Sequence, residues 1–188
     1  MKRYTKSIIA GLLTLSASHA WATDGTIEFT GQILTSTCEF ANGDTVDVEL
    51  GHYAASQFKT VSDKTPSIPV TIPLKNCPTD PWEHVDGVED ASFQLWLETR
   101  NGGTTGTNDE LVAVTGMDEP ATGVGIRIDN DQGTQMAINK LNDPKVSFPI
   151  TGATMDINLL AYYVSTVESK DITPGEANAS VDVTLDYR

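Results

Sequence analysis

Cys38 and Cys77 are the only cysteines, and with His52 and His84 they have the widest chemical reach of any residues beyond position 22. A cysteine pair can close a disulfide, stay as thiols or hold a metal. Zinc wants four nitrogen or sulfur ligands, and those two histidines alone are left to complete such a set. Asp129-x-Asp131 with Gly133 matches the start of a calcium loop. Gly133 and Lys140, however, stand where that loop needs an oxygen ligand and a bidentate glutamate, so a hairpin turn is expected there. Glu89-Asp90 and Asp118-Glu119 are adjacent carboxylates, but 26 acidic residues bring such pairs together by chance. They suit solvated loops better than acid–base work. No serine or cysteine occupies a recognisable nucleophile setting, so no enzymatic activity, cofactor or metal is expected. Asn178-Ala179-Ser180 has glycosylation spacing but falls within an expected strand. Pro81-Trp82-Glu83-His84 is the most distinctive loop. An exposed Trp82 could stack on a sugar, whereas a buried one would pack over the rim of the fold.

The beginning of the chain sets the redox context. Lys2, Arg3 and Lys6 precede an apolar run from Ile8 to Leu15, and Ala20-Trp21-Ala22 follows. These features read as a secretory signal peptide over residues 1–22, with cleavage after Ala20 as the competitor. Export to an oxidising compartment favours a Cys38–Cys77 disulfide. Closing the loop between them is worth about 4 kcal/mol in the chain-entropy account. The full 188 residues carry a formal charge of −14; the leader holds three of the 12 basic residues and no acidic one, which leaves −17 on 166 residues. Such a charge repels phosphate backbones, so no nucleic-acid partner is expected. The length suits one domain, and no stretch approaches the roughly 20 apolar residues of a membrane-spanning helix.

Alternation of apolar and polar residues, the mark of half-buried strands, recurs along the chain. It appears at Ile27, Phe29, Gly31 and Ile33, at Val46, Val48 and Leu50, and at Ile68, Val70, Ile72 and Leu74. Further runs are Phe93, Leu95 and Leu97; Val124, Ile126 and Ile128; Val146, Phe148 and Ile150; and Ile157 to Tyr163. The last comprises Ala179, Val181, Val183, Leu185 and Tyr187. Pro69 and Pro73 cannot donate to a ladder, so their strand is expected to leave part of one edge unpaired. Asn42-Gly43, Asn101-Gly102-Gly103 and Thr173-Pro174-Gly175 supply turns, and residues 101–119 read as a long loop. No apolar face persists at helical spacing, so the fold class is an all-β sandwich or barrel. An immunoglobulin-like sandwich ending on the last run would lack its covering strand, while the first run would be spare. A strand of eight residues, about 26 Å long, could fill that vacancy in another copy.

The stretch Gly25-Thr26-Ile27-Glu28-Phe29-Thr30-Gly31-Gln32-Ile33 before Cys38 resembles the donor strand of chaperone–usher fimbrial subunits, the pilins of type 1 and P pili. Asn76-Cys77, Gly123 to Asp129 with Gly133, Ala161-Tyr162-Tyr163, Gly175 fourteenth from the end and Tyr187 next to last are similar to further family positions. The resemblance implies an incomplete immunoglobulin-like β-sandwich completed by donor-strand complementation. Residues 23–34 would form the donor extension and 35–188 the pilin domain. Ile27, Phe29 and Ile33 would fill a neighbour's pockets, with Gly31 where no side chain fits. Gly175, Ala179, Val181, Val183, Leu185 and Tyr187 would form the strand read first by a periplasmic pilus chaperone and then by the donor. The implied partners are that chaperone, an outer-membrane usher, other fimbrial subunits, and a host or abiotic surface as receptor. The implied route runs through the periplasm to a cell-surface fimbrium that supports adhesion. Two alternatives stay open on the residues: a self-contained secreted carbohydrate-binding sandwich using Trp82, and a one-domain tip adhesin.

Overall fold

The computed structural model describes residues 33, 37–84, 87–140 and 146–187, all within one unit spanning residues 31–188. The expected leader over residues 1–22 and the run from Ile27 to residue 32 lie outside the described residues.

Where alternation is long, it becomes ladder. Among the described residues the strands are β1 (Glu39–Phe40), β2 (Ile68–Lys75), β3 (Trp82–His84), β4 (Gly87–Glu89), β5 (Ser92–Thr99), β6 (Thr104–Thr105), β7 (Leu111–Ala113), β8 (Val124–Asn130), β9 (Ser147–Pro149), β10 (Met155–Ser165) and β11 (Val181–Tyr187). One sheet runs β1-β2-β10-β8-β7-β6, a second β11-β5-β9, and β3-β4 form a separate hairpin. Every pairing between these strands is antiparallel. Inward positions of the two larger sheets meet in one core. Ile72, Leu74, Val112, Ile126, Ile157 and Leu159 come from the first, and Phe93, Leu95 and Leu97 from the second. The Cys38–Cys77 disulfide is formed, and it brackets the short β1–β2 ladder.

Two expectations need correction. Val46, Val48 and Leu50 join no ladder among the described residues, and Val46 and Val48 stay more than a third exposed. Alternation holds a strand only if a neighbour takes up its amides and carbonyls. Residues 101–119 are not a plain loop, because they contain β6 and β7, with Leu111 and Val112 fully inside the core. A three-residue strand is too short to display a period. Met136 and Ile138, in the connection after β8, are also buried, although no periodic run marks them.

The stretch after Asp129 forms the expected turn. Gly133 N–H donates to the Asn130 carbonyl, and the Asn130 side-chain oxygen accepts from Gln132 and Thr134 amides. Buried Asp129 accepts from Arg127 Nε at 2.7 Å and from the Tyr162 hydroxyl at 2.6 Å, which uses both of its oxygens inside the fold.

Candidate assembly groove

β11 pairs with β5 along one edge, from Val181 opposite Thr99 to Tyr187 opposite Phe93. Along its other edge it has no strand partner among the described residues. On the facing sheet, β2 pairs with β10 over its length but with β1 only at Leu74 and Lys75. Pro69 and Pro73 explain that bare edge in part, since neither can donate outward. Two strand edges, one from each sheet, thus border the same side of the sandwich.

Between them runs a groove of about 1740 Å³. Val70, Ile72, Ile126, Ile128, Leu159 and Ala161 of the first sheet contribute its apolar floor, and Val181 and Val183 line the β11 side. Residues 43–53, the stretch that joins no ladder, flank the groove as well. The chemistry offered is therefore apolar sockets at every second position, with backbone groups waiting along the rim. An extended segment with alternating apolar residues answers both.

Both ends of β11 are tied down. At the beginning of β11, residues 173–178 are stitched to a strap formed by residues 115–122. Thr115 and Asn178 exchange backbone hydrogen bonds, Ala121 N–H donates to the Glu176 carbonyl at 2.7 Å, and Glu176 N–H donates to Glu119. Gly175 sits beneath this strap. A Cβ there would overlap the Glu119 carbonyl and come within 2.7 Å of the Ala121 nitrogen, so a close backbone approach accounts for the glycine. The Tyr163 hydroxyl donates to the Ala177 carbonyl at 2.8 Å, and its ring meets Tyr53 edge-on. Burial raises the Tyr163 hydroxyl above its ordinary value.

At the other end the Tyr187 hydroxyl accepts from the Cys38 amide at 2.7 Å. Burial raises that hydroxyl too, and this accepted bond partly offsets the shift. The Tyr187 ring packs against Phe93 and Trp82. Trp82 is only 4 % exposed, and its indole N–H has no partner, so the ring belongs to the rim packing and offers no open face for a sugar. On the outer face of β11, Asp182 pairs with Arg100, whose Nε stands at 2.8 Å and whose pKa is raised by that contact.

Ala179, Val181 and Val183 line one border of the groove, and Leu185 and Tyr187 continue along the same strand beyond it, all of them only partly buried. Gly175 lies outside the free edge, under the strap. Ile27, Phe29 and Gly31 lie outside the described residues, and Ile33 is 95 % exposed. Sequence reasoning did not single out the groove floor, the strap or residues 43–53 as parts of one site. The floor residues are visible in sequence as strand residues, but nothing local says which face stays uncovered.

Fold and groove define a class: an immunoglobulin-like sandwich that lacks one strand among the described residues and presents the edge beside it. The family model described as "Fimbrial protein" matches residues 27–188, and the chain belongs to that family. It is 48 % identical to YraH, a fimbrial-like protein of Escherichia coli K12, with 100 % of both chains covered. It is 33 % identical to a type-1 fimbrial protein subunit of Serratia marcescens, again over 100 % of each. Among solved structures it is similar to the P pilus rod subunit PapA, with a TM-score of 0.61 at 13 % identity over 81 % of this chain and 100 % of that one. A subunit in a chaperone–usher pilus structure gives a TM-score of 0.60, at 13 % identity over 88 % and 96 % of the two chains. The chain is thus a structural subunit of a bacterial surface fimbria, which it builds together with other subunits.

Proposed function

We propose that the chain polymerises by donor-strand exchange, residues 25–34 of one copy entering the groove of the next. The observation that carries this reading is that, among the described residues, one edge of β11 has no strand paired to it and lies beside an apolar groove. Ile27, Phe29 and Ile33 are the side chains inserted, and Gly31 takes the position where no side chain fits. Each of the three large side chains contributes roughly 1.5–3 kcal/mol on burial, with backbone pairing added along the strand. A joint of this kind is long-lived without a covalent bond. It also suits a strongly acidic chain, because like-charged subunits cannot rely on long-range attraction.

In this reading residues 1–22 direct export and are removed, residues 23–34 are the donor extension, and 35–188 are the domain. A periplasmic chaperone pairs with Ala179 to Tyr187 and shields the groove, and an outer-membrane usher exchanges its strand for the next subunit's. The fimbria then carries adhesion to a host or abiotic surface. Deleting residues 23–34 and expressing the remainder with its chaperone should abolish fibres while leaving a folded, chaperone-bound domain. Fibres of normal length from that deletion would defeat the proposal. A stable, monodisperse monomer without any chaperone would favour a self-contained sandwich instead.

A further inference from the structure

We infer that successive subunits also touch through a second, apolar contact: Met117 on the strap of one copy against Val88 on β4 of the copy that donates its strand. The inference rests on the strand-exchange reading and on the polarity of β11. An incoming strand that continues the antiparallel order of the sandwich ends, at Ile33, beside the start of β11. That end is the strap end, where Met117 N–H is held by the Glu176 carboxylate and the Met117 side chain is 93 % exposed. Five residue steps separate Ile33 from Cys38, a reach of at most about 18 Å. The body of the donating copy therefore sits close to this strap.

What that body presents there is fixed by its own contacts. Cys38 is bonded to Tyr187, and Tyr187 packs on Trp82 at the base of the β3–β4 hairpin. The hairpin carries Val88, 68 % exposed. In the inferred contact these two prominent exposed apolar side chains, at opposite ends of β11, meet at each head-to-tail joint. A heterologous contact of this form repeats along a filament without closing. Asp118 and Glu119 flank Met117, and Glu89 and Asp90 flank Val88, all exposed. These carboxylates repel one another, so the contact tightens as salt shortens the screening length.

The test uses fibres assembled from the full chain carrying both Met117→Cys and Val88→Cys, treated with a short thiol-specific bifunctional crosslinker and boiled in denaturant. The expected result is a ladder of covalent dimers, trimers and higher species from the double variant, monomer only from either single variant, and a ladder that strengthens with salt. Intact fibres that yield only monomer overturn the contact while leaving strand exchange untouched, as does a ladder that fades with salt. A ladder from a chain also lacking residues 23–34 overturns strand exchange itself. Met117→Asp supplies an independent readout: fibres should form at normal yield but bend more sharply in electron micrographs, and unchanged stiffness counts against the contact.

Discussion

β5 and β11 lie side by side in one sheet, pair over seven residues and carry the same alternating pattern, yet their fates differ. Phe93, Leu95 and Leu97 of β5 are at most 3 % exposed, whereas no β11 residue is fully buried. β5 is covered by β9 and β11 on its flanks and by the facing sheet above. β11 has one flank and half a roof. The difference teaches that the same pattern is core in one strand and, among the described residues, a half-covered edge in its neighbour; on the strand-exchange reading the folding unit is larger than the domain.

The largest effect that could break this comparison is on the β5 side. Phe93→Ala should cost about 3–5 kcal/mol in denaturant unfolding of the free subunit, while Leu185→Ala on β11 should cost only about 1–2 kcal/mol. Equal losses would mean that β11 is already core. Close behind comes the disulfide, which ties the segment before β1 to the end of β2. Replacing both Cys38 and Cys77 with serine should lower stability by about 4 kcal/mol, and no change on reduction would contradict that.

A smaller effect sharpens where the free edge begins. Gly175→Ala forces a methyl group against the 119–121 backbone, and a loss of about 1–3 kcal/mol is expected in the isolated subunit, before any partner binds. If stability is unchanged and only partner binding suffers, the glycine serves the docking strand and not the strap.

The smallest effect lies away from the groove. Burial, and then the hydrogen bond to Asp129, push the Tyr162 hydroxyl up to about 12. Unfolded tyrosine titrates near 10, so the neutral hydroxyl's contribution is whole below pH 10 and is lost as pH rises through about 12. Tyr162→Phe should flatten that alkaline slope in a melting-temperature profile. An unaltered slope would assign the loss to another group.

Much of the fold was legible because its strands are long. β2, β5, β8, β10 and β11 each run seven residues or more, enough for a period of two to stand out. β6 and β7 were not, because two or three residues have no period. Val46 to Leu50 show the opposite failure, a clear alternation that joins no ladder among the described residues. In the site, the β11 border could be read directly from Ala179 to Tyr187. Gly175 drew notice by position, but its reason is a contact with residues 119–121, for which no local signal exists. The bond from Cys38 to Tyr187 joins residues 149 apart in sequence, a distance over which periodicity is silent. Trp82 could be read either as a rim residue or as a sugar platform, and only its burial decides between them.

The central claim, that β11 is an edge awaiting a strand, is tested most directly by amide hydrogen exchange on the mature subunit with and without a peptide of residues 25–34. The account predicts that amides on the free edge of β11 exchange fast in the free subunit and become strongly protected at saturating peptide, with a rise in melting temperature, while β5 amides start protected and stay so. Equal protection of β5 and β11 before the peptide is added, with no change after it, would contradict the claim.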